Sequence, residues 1–169
     1  MDTLAELLED ELKDIYNAEN QLLKALPKMT KKATSAKLKQ AFTSHLAETE
    51  KQIERLEKIA GILDIKLKGK KCHAMEGLVE EGKEIIEEDG SGAVIDAALI
   101  GAAQRVEHYE MAAYGTVRGI AEALGHKDVV KLLQQTLNEE GAADKKLTTI
   151  AETEVLAAAL AEESEEEDE

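Results

Sequence analysis

A chain of 169 residues with a net charge of −15, 2% aromatic residues and a single proline already excludes several classes. It is long enough for one domain with a sizeable core, and its acidity argues against nucleic acid or an anionic membrane surface as a partner. The shortage of aromatics suits a helical bundle packed by Leu, Ile and Ala and suits a sheet poorly. One cysteine, Cys72, rules out an intrachain disulfide framework and is compatible with a reducing cytoplasm. The N-terminus is acidic from Asp2, unlike a secretory signal, and no apolar run approaches the roughly 20 residues that span a bilayer. A soluble cytoplasmic protein is expected.

The first predicted helix runs from about Thr3 to Ala25, with Thr3 or Asp2 as N-cap, and stops near Pro27. Its apolar stripe is Leu4, Leu8, Leu12, Ile15, Leu22 and Leu26, and Glu19 stands where that spacing reserves an apolar residue. A second helix spans about Ser35 to Ala60, with Gly61 as its stop. Its stripe of Leu38, Phe42, Ile53, Leu56 and Ile59 leaves a gap filled by His45, Leu46, Glu48, Thr49 and Gln52. Glu50, Glu54 and Glu57 read as solvent-facing partners of nearby lysines and Arg55. Residues 61–92 form a long link with a short amphipathic helix near Met75 to Glu88. Antiparallel neighbours need only a short loop, so this link suggests a crossover along the bundle. Cys72-His73 lies within it, without the second Cys or His that a zinc site needs nearby.

A third helix, about Ala93 to Leu124, carries Leu99, Ala103, Val106, Ala113, Val117 and Leu124 toward the core. Glu110 falls in the middle of that stripe and Glu107 on its edge, while His108 faces away. Gly125-His126-Lys127 ends it. A fourth helix, about Asp128 to Ala161, has Val129, Leu132 or Leu133, Leu137, Leu147 and Ile150 or Ala151 as its stripe. Glu140 occupies the step between Leu137 and Leu147, with Asp144 one turn later; Glu139, Lys145, Lys146 and Glu152 face outward. Residues 162–169, with seven acidic side chains, read as a disordered, solvated tail on a single domain of residues 1–161.

Each of the four long helices thus interrupts its apolar stripe near mid-length: Glu19; His45 and Glu48; Glu107 and Glu110; Glu140 and Asp144. Antiparallel packing brings these residues to one layer of the bundle interior. Carboxylates gathered there repel one another and raise each other's pKa values unless cations neutralise them. Carboxylates with one or two histidines in a bundle core are the ligand set of di-iron and di-manganese proteins, and such oxygen-rich sites suit Fe or Mn. Glu19, Glu48, Glu110 and Glu140 read as ligands. His45 reads as a ligand or as a hydrogen-bond donor to one, and Glu107 and Asp144 as ligands or as flank residues at a dimer contact. Tyr16 and Tyr114 each lie one turn from a candidate ligand, as hydrogen-bond partners or as ordinary core or interface tyrosines.

The segments Asp14-Ile15-Tyr16-Asn17-Ala18-Glu19-Asn20-Gln21-Leu22-Leu23, His45-Leu46-Ala47-Glu48-Thr49 and Cys72-His73-Ala74-Met75-Glu76-Gly77-Leu78 resemble the YciF-type family, the DUF892 ferritin-like proteins. Val106-Glu107-His108-Tyr109-Glu110 and Leu137-Asn138-Glu139-Glu140-Gly141-Ala142-Ala143-Asp144 carry the same resemblance, which covers nearly the whole chain outside the acidic tail. It implies an all-α, ferritin-like four-helix bundle with a long crossover between its second and third helices, a homodimer, bacterial origin and a stress-related role. The chain departs from the general ferritin-like Glu-x-x-His pattern, offering His45-x-x-Glu48 in reversed order and Glu140-x-x-x-Asp144, which makes the ligand set richer in carboxylate. The expected function is a site for two Fe ions, or Mn, that reacts with O2 or H2O2 as a ferroxidase or peroxidase-like oxidoreductase. The rival expectation is a metal-free helical dimer acting as a structural or interaction module.

Overall fold

Helix ends, apolar stripes and one long link dictate the architecture. A computed structural model of the chain describes residues 1–90 and 92–167, with the side chains of 165–167 excepted. Thr3 opens α1 (Leu4–Lys32) with a capping box: its Oγ1 accepts from the Glu6 N–H at 3.2 Å, and its own N–H donates to Glu6 at 3.3 Å. Ser35 caps α2 (Ala36–Leu63) by accepting from the Leu38 N–H. The remaining helices are α3 (His73–Glu87), α4 (Gly92–Ala123), α5 (Lys127–Ile150) and α6 (Leu156–Glu167). Gly125, at φ 79°, closes α4: the His126 N–H reaches the Ala121 carbonyl and the Gly125 N–H the Glu122 carbonyl. That Schellman turn needs a left-handed residue. No helix among the described residues is long and apolar enough to cross a membrane.

The long helices form a ring in which α1 packs on α2 and α4, and α5 packs on α2 and α4. Two apolar clusters fill it. One, at the end where α1 begins, joins Leu8, Leu12 and Ile15 to Leu56, Ile59, Tyr114, Val117, Val129 and Leu133. The other joins Leu22, Leu26 and Met29 to Leu38, Phe42, Leu99, Ala103 and Leu147. The link between α2 and α4 climbs from the first end to the second. Lys70 pairs with Asp10, the Cys72 N–H donates to Asn17 Oδ1 at 2.8 Å, and the Glu88 carbonyl accepts from Lys32 at the far end of α1. The long crossover expected from the sequence is therefore present, with α3 lying across α1 and α4. Asp96 clasps the α1–α2 turn to the start of α4: it accepts from the N–H and Oγ1 of Thr34 and from the N–H of Ser35, at 2.6–2.8 Å.

Three element ends differ from expectation. Pro27 does not stop α1, which runs on to Lys32. Its ring lies on the exposed side, where the donorless Leu23 carbonyl can turn to water, and the continuing turns bury Met29 and Ala33. Gly61 does not stop α2, because Leu63 still packs on the first cluster; the helix ends instead at Asp64 in a left-handed conformation, φ 53°. Helix α5 leads through a π turn, Ala151–Val155, into α6. The added residue lets the core line step from Ile150 to Val155 and Ala159, and frees Glu154 to meet Ser35 at 2.6 Å and Lys37 at 2.7 Å. Helix α6 continues to Glu167, so the acidic tail is helical that far; residues 168 and 169 lie outside the described residues.

Candidate metal centre

Between the two apolar clusters lies a polar layer, with contributions from each helix of the ring. On α1 it replaces an apolar side chain between Ile15 and Leu22 by Glu19. On α2 His45, Thr49 and Gln52 follow at helical spacing, on α4 Glu107 and Glu110, and on α5 Thr136 and Glu140. Glu19 and Glu140 are 0% exposed, Glu107 and Glu110 2%, and His45 7%. One ligand atom from each of His45, Glu107, Glu110 and Glu140 falls within 4.8 Å of all the others.

The groups in this layer are short of partners. His45 Nε2 is 3.2 Å from Glu107 Oε1 and 4.0 Å from Glu140 Oε2, yet neither approach is aligned as a hydrogen bond. Both oxygens of Glu110, both of Glu140, Oε2 of Glu107 and Oε2 of Glu19 are buried without a partner. The remaining Glu19 oxygen accepts a hydrogen bond from the buried Tyr114 hydroxyl. Burial raises the Glu19 carboxyl to about 7 against the opposing pull of Tyr114, and raises Glu107 to about 8. Glu110 and Glu140 are pushed well up by burial and by their carboxylate neighbours. Burial lowers the His45 pKa, but the Glu48, Glu140 and Glu19 carboxylates outweigh it and the net shift is upward.

Four ionised carboxylates in such a layer carry four negative charges and leave six oxygens unsatisfied. Leaving buried charges unpaired costs several kcal/mol per ion, so the layer must take up protons or cations. The donors fit cations. They are hard oxygens with one imidazole, ligand atoms of His45, Glu107, Glu110 and Glu140 lie close together, and six carboxylate oxygens have no protein partner. Two divalent ions would balance four carboxylates with His45 neutral.

The structure brings Glu19, His45, Glu107, Glu110 and Glu140 together. It leaves Glu48 and Asp144 at the edge. Glu48, with its side chain 44% exposed, is 3.6 Å from His45 Nδ1. Asp144 turns toward α4, where it accepts from Gln104 at 3.0 Å and meets the exposed His108 at 3.3 Å. Glu107, expected on the edge of its stripe, is as buried as Glu110, because the core line of α4 passes through Val106, Glu110, Tyr114 and Val117. Tyr16 is not part of the layer; its hydroxyl donates to Glu57 on the surface.

Sequence reasoning missed one buried cluster beside the layer. Arg55 and Glu139, both expected outside, form a bidentate pair at 2.9 and 3.0 Å, and Arg55 also donates to Thr136 Oγ1. Gln52 adds a bond to Glu139 at 3.3 Å. The signal available was spacing: Gln52, Arg55 and Ile59 lie at i, i+3 and i+7, one helical face. Ile53, the residue preferred for hydrophobicity, is only half-buried.

Comparison with known proteins agrees with this fold. Residues 3–160 match the family described as Domain of unknown function (DUF892). The chain is 49% identical over 152 residues to Protein YciF of Escherichia coli strain K12, covering 89% of this chain and 92% of that one. The crystal structure of the E. coli stress protein YciF superposes with a TM-score of 0.87, covering 89% of this chain and 96% of that one. YcfI from Rhodopseudomonas palustris, 50% identical, gives 0.85 over 88% of this chain and 95% of its own. A Xanthomonas campestris protein at 19% identity and a TM-score of 0.75, covering 95% of this chain and 99% of that one, shares the fold. This all-helical bundle, with its buried His/Glu layer, is a member of the DUF892 family.

Proposed function

We propose that the buried layer binds two divalent first-row metal ions, iron foremost and manganese as the alternative, and that the protein is a stress-response oxidoreductase acting on O2 or H2O2. The observation that carries this reading is the convergence of His45, Glu107, Glu110 and Glu140, with Glu19 buried in the same layer and six carboxylate oxygens left unpartnered. The description of the E. coli relative as a stress protein supports the biological setting. Two bound Fe(II) ions would supply two electrons to the oxidant.

The chain's own residues hold and shape the site. Glu110 and Glu140, each with both oxygens free, would hold the ions. His45 and Glu107, 3.2 Å apart, would add a nitrogen and an oxygen, and Glu19 would offer one oxygen while Tyr114 fixes the other. Leu22, Phe42, Val106 and Leu147 keep that side of the layer apolar. Arg55, tied to Glu139, places a fixed positive charge beside the carboxylates and opposes the upward shift of Glu19.

The test adds Fe(II) to the metal-free protein without oxygen and then admits O2 or H2O2. Stoichiometric oxidation faster than that of free iron is expected, and Glu140→Ala abolishes the acceleration. Oxidation no faster than in buffer overturns the redox reading.

A further inference from the structure

A cavity of about 710 Å3 opens beside the layer, between α2 and α5, and reaches inward to His45 and Glu107. Organic ligand pockets run from roughly 300 to 1,000 Å3. A small oxidant needs little more than the space of a water molecule, about 30 Å3, so access for O2 or H2O2 does not explain this volume. Three carboxylates line it, Glu107 from the layer and Glu48 and Glu139 nearer the surface, but the rest of the inner wall is Leu22, Leu26, Met29, Phe42, Val106 and Leu147, more apolar than a path for hydrated cations needs.

The rim has an uneven charge. Of its two acids, Glu139 is held by Arg55, and the half-exposed Glu48 lies 3.6 Å from His45 Nδ1. Of its two lysines, Lys131 lies 3.6 Å from Asp128, whereas Lys146 has no carboxylate partner among the described residues. Lys131 and Lys146 are fifteen residues apart on α5, about 22 Å at 1.5 Å per residue. The groove is therefore elongated, apolar along its floor, and carries an uncommitted ammonium near one end. That pattern matches a molecule with an aliphatic chain and one negative head group.

We infer that this cavity binds an aliphatic monocarboxylate, its chain along the Leu22, Met29 and Phe42 wall and its head group at Lys146, with part of the ligand next to His45 and Glu107. Ligand binding stands on the cavity alone. The ligand's use as the organic substrate of the metal centre rests on the function proposed above.

The probe is dodecanoate, kept below its micelle concentration and titrated calorimetrically into the metal-free full-length chain. One saturable site is expected, with dodecanol bound about fivefold more weakly and Lys146→Glu losing a similar factor. Ala143→Phe, which plugs the groove, removes binding. Lys146 is exposed, so its variant tests the assignment even if the plugged protein folds poorly. No saturable site, equal affinity for dodecanol, or unchanged affinity in both variants overturns the inference. So does a dimer that Ala143→Phe dissociates, which would make a second copy the occupant. Metal uptake, measured on parallel samples of the same proteins given Fe(II) without oxygen, separates the two claims. Absent dodecanoate binding with metal retained overturns only this inference, and absent metal with dodecanoate bound overturns only the metal centre.

Discussion

Glu107 and Glu19 are the residues whose protonation ties the site to stability. Their folded pKa values, about 8 and about 7, lie above the 4.5 of a free carboxyl. Between pH 4.5 and 8 the folded metal-free chain keeps protons that the unfolded chain has released. This contribution is full below pH 4.5 and disappears as pH rises through 7 and 8. His45, also raised, acts in the same direction. Metal-free protein should therefore lose on the order of a few kcal/mol of stability between pH 5 and 8.5, read by denaturant unfolding at each pH. Glu107→Gln, which has no proton to lose, should flatten that slope; an unchanged slope would place its cause elsewhere, for example in the net charge of −15. Cations compete with the same protons, so stabilisation by Fe(II) or Mn(II) should grow over the same range.

At the scale of elements, two polar clasps set how the helices meet. Asp96 accepts three hydrogen bonds from the α1–α2 turn while only 1% exposed. Asp96→Ala strands two backbone donors and should cost about 3 kcal/mol in unfolding free energy. Arg55 holds α2 to α5 through Glu139 and Thr136. Arg55→Met should cost about 2 kcal/mol, less than a fully buried pair, because Glu139 is 27% exposed and can rehydrate. Helix existence was legible in the sequence, since Leu, Ile and Ala recur at helical spacing in each long helix. The ends were less so. Proline and glycine are local signals, and at Pro27 and Gly61 the burial of Met29 and Leu63 overrode them. The π turn after Ile150 left no local mark; it follows from where Val155 must pack.

At the scale of the whole molecule, the bundle divides into two apolar clusters with an acidic layer between them. Glu19, Glu110 and Glu140 were legible because each breaks a stripe that is otherwise apolar, and His45 because it fills the gap after Phe42. Glu107 lies three residues before Glu110 and Asp144 four after Glu140, so spacing alone puts both near the layer and only packing separates them: one turns into the layer, the other toward Gln104 and His108. Arg55 escaped because a long cation reads as surface until its partner on another helix is placed. A layer that buries unpaired carboxylates at mid-bundle weakens the metal-free fold, and this is the cost that bound cations would offset. The most direct test is the equilibrium metal content of purified protein given Fe(II) or Mn(II) without oxygen, with Glu110→Ala as control. The account predicts about two ions per chain, a sharp fall in the variant, and a rise in melting temperature only when metal binds. A content near zero, with stability indifferent to metal, would contradict it.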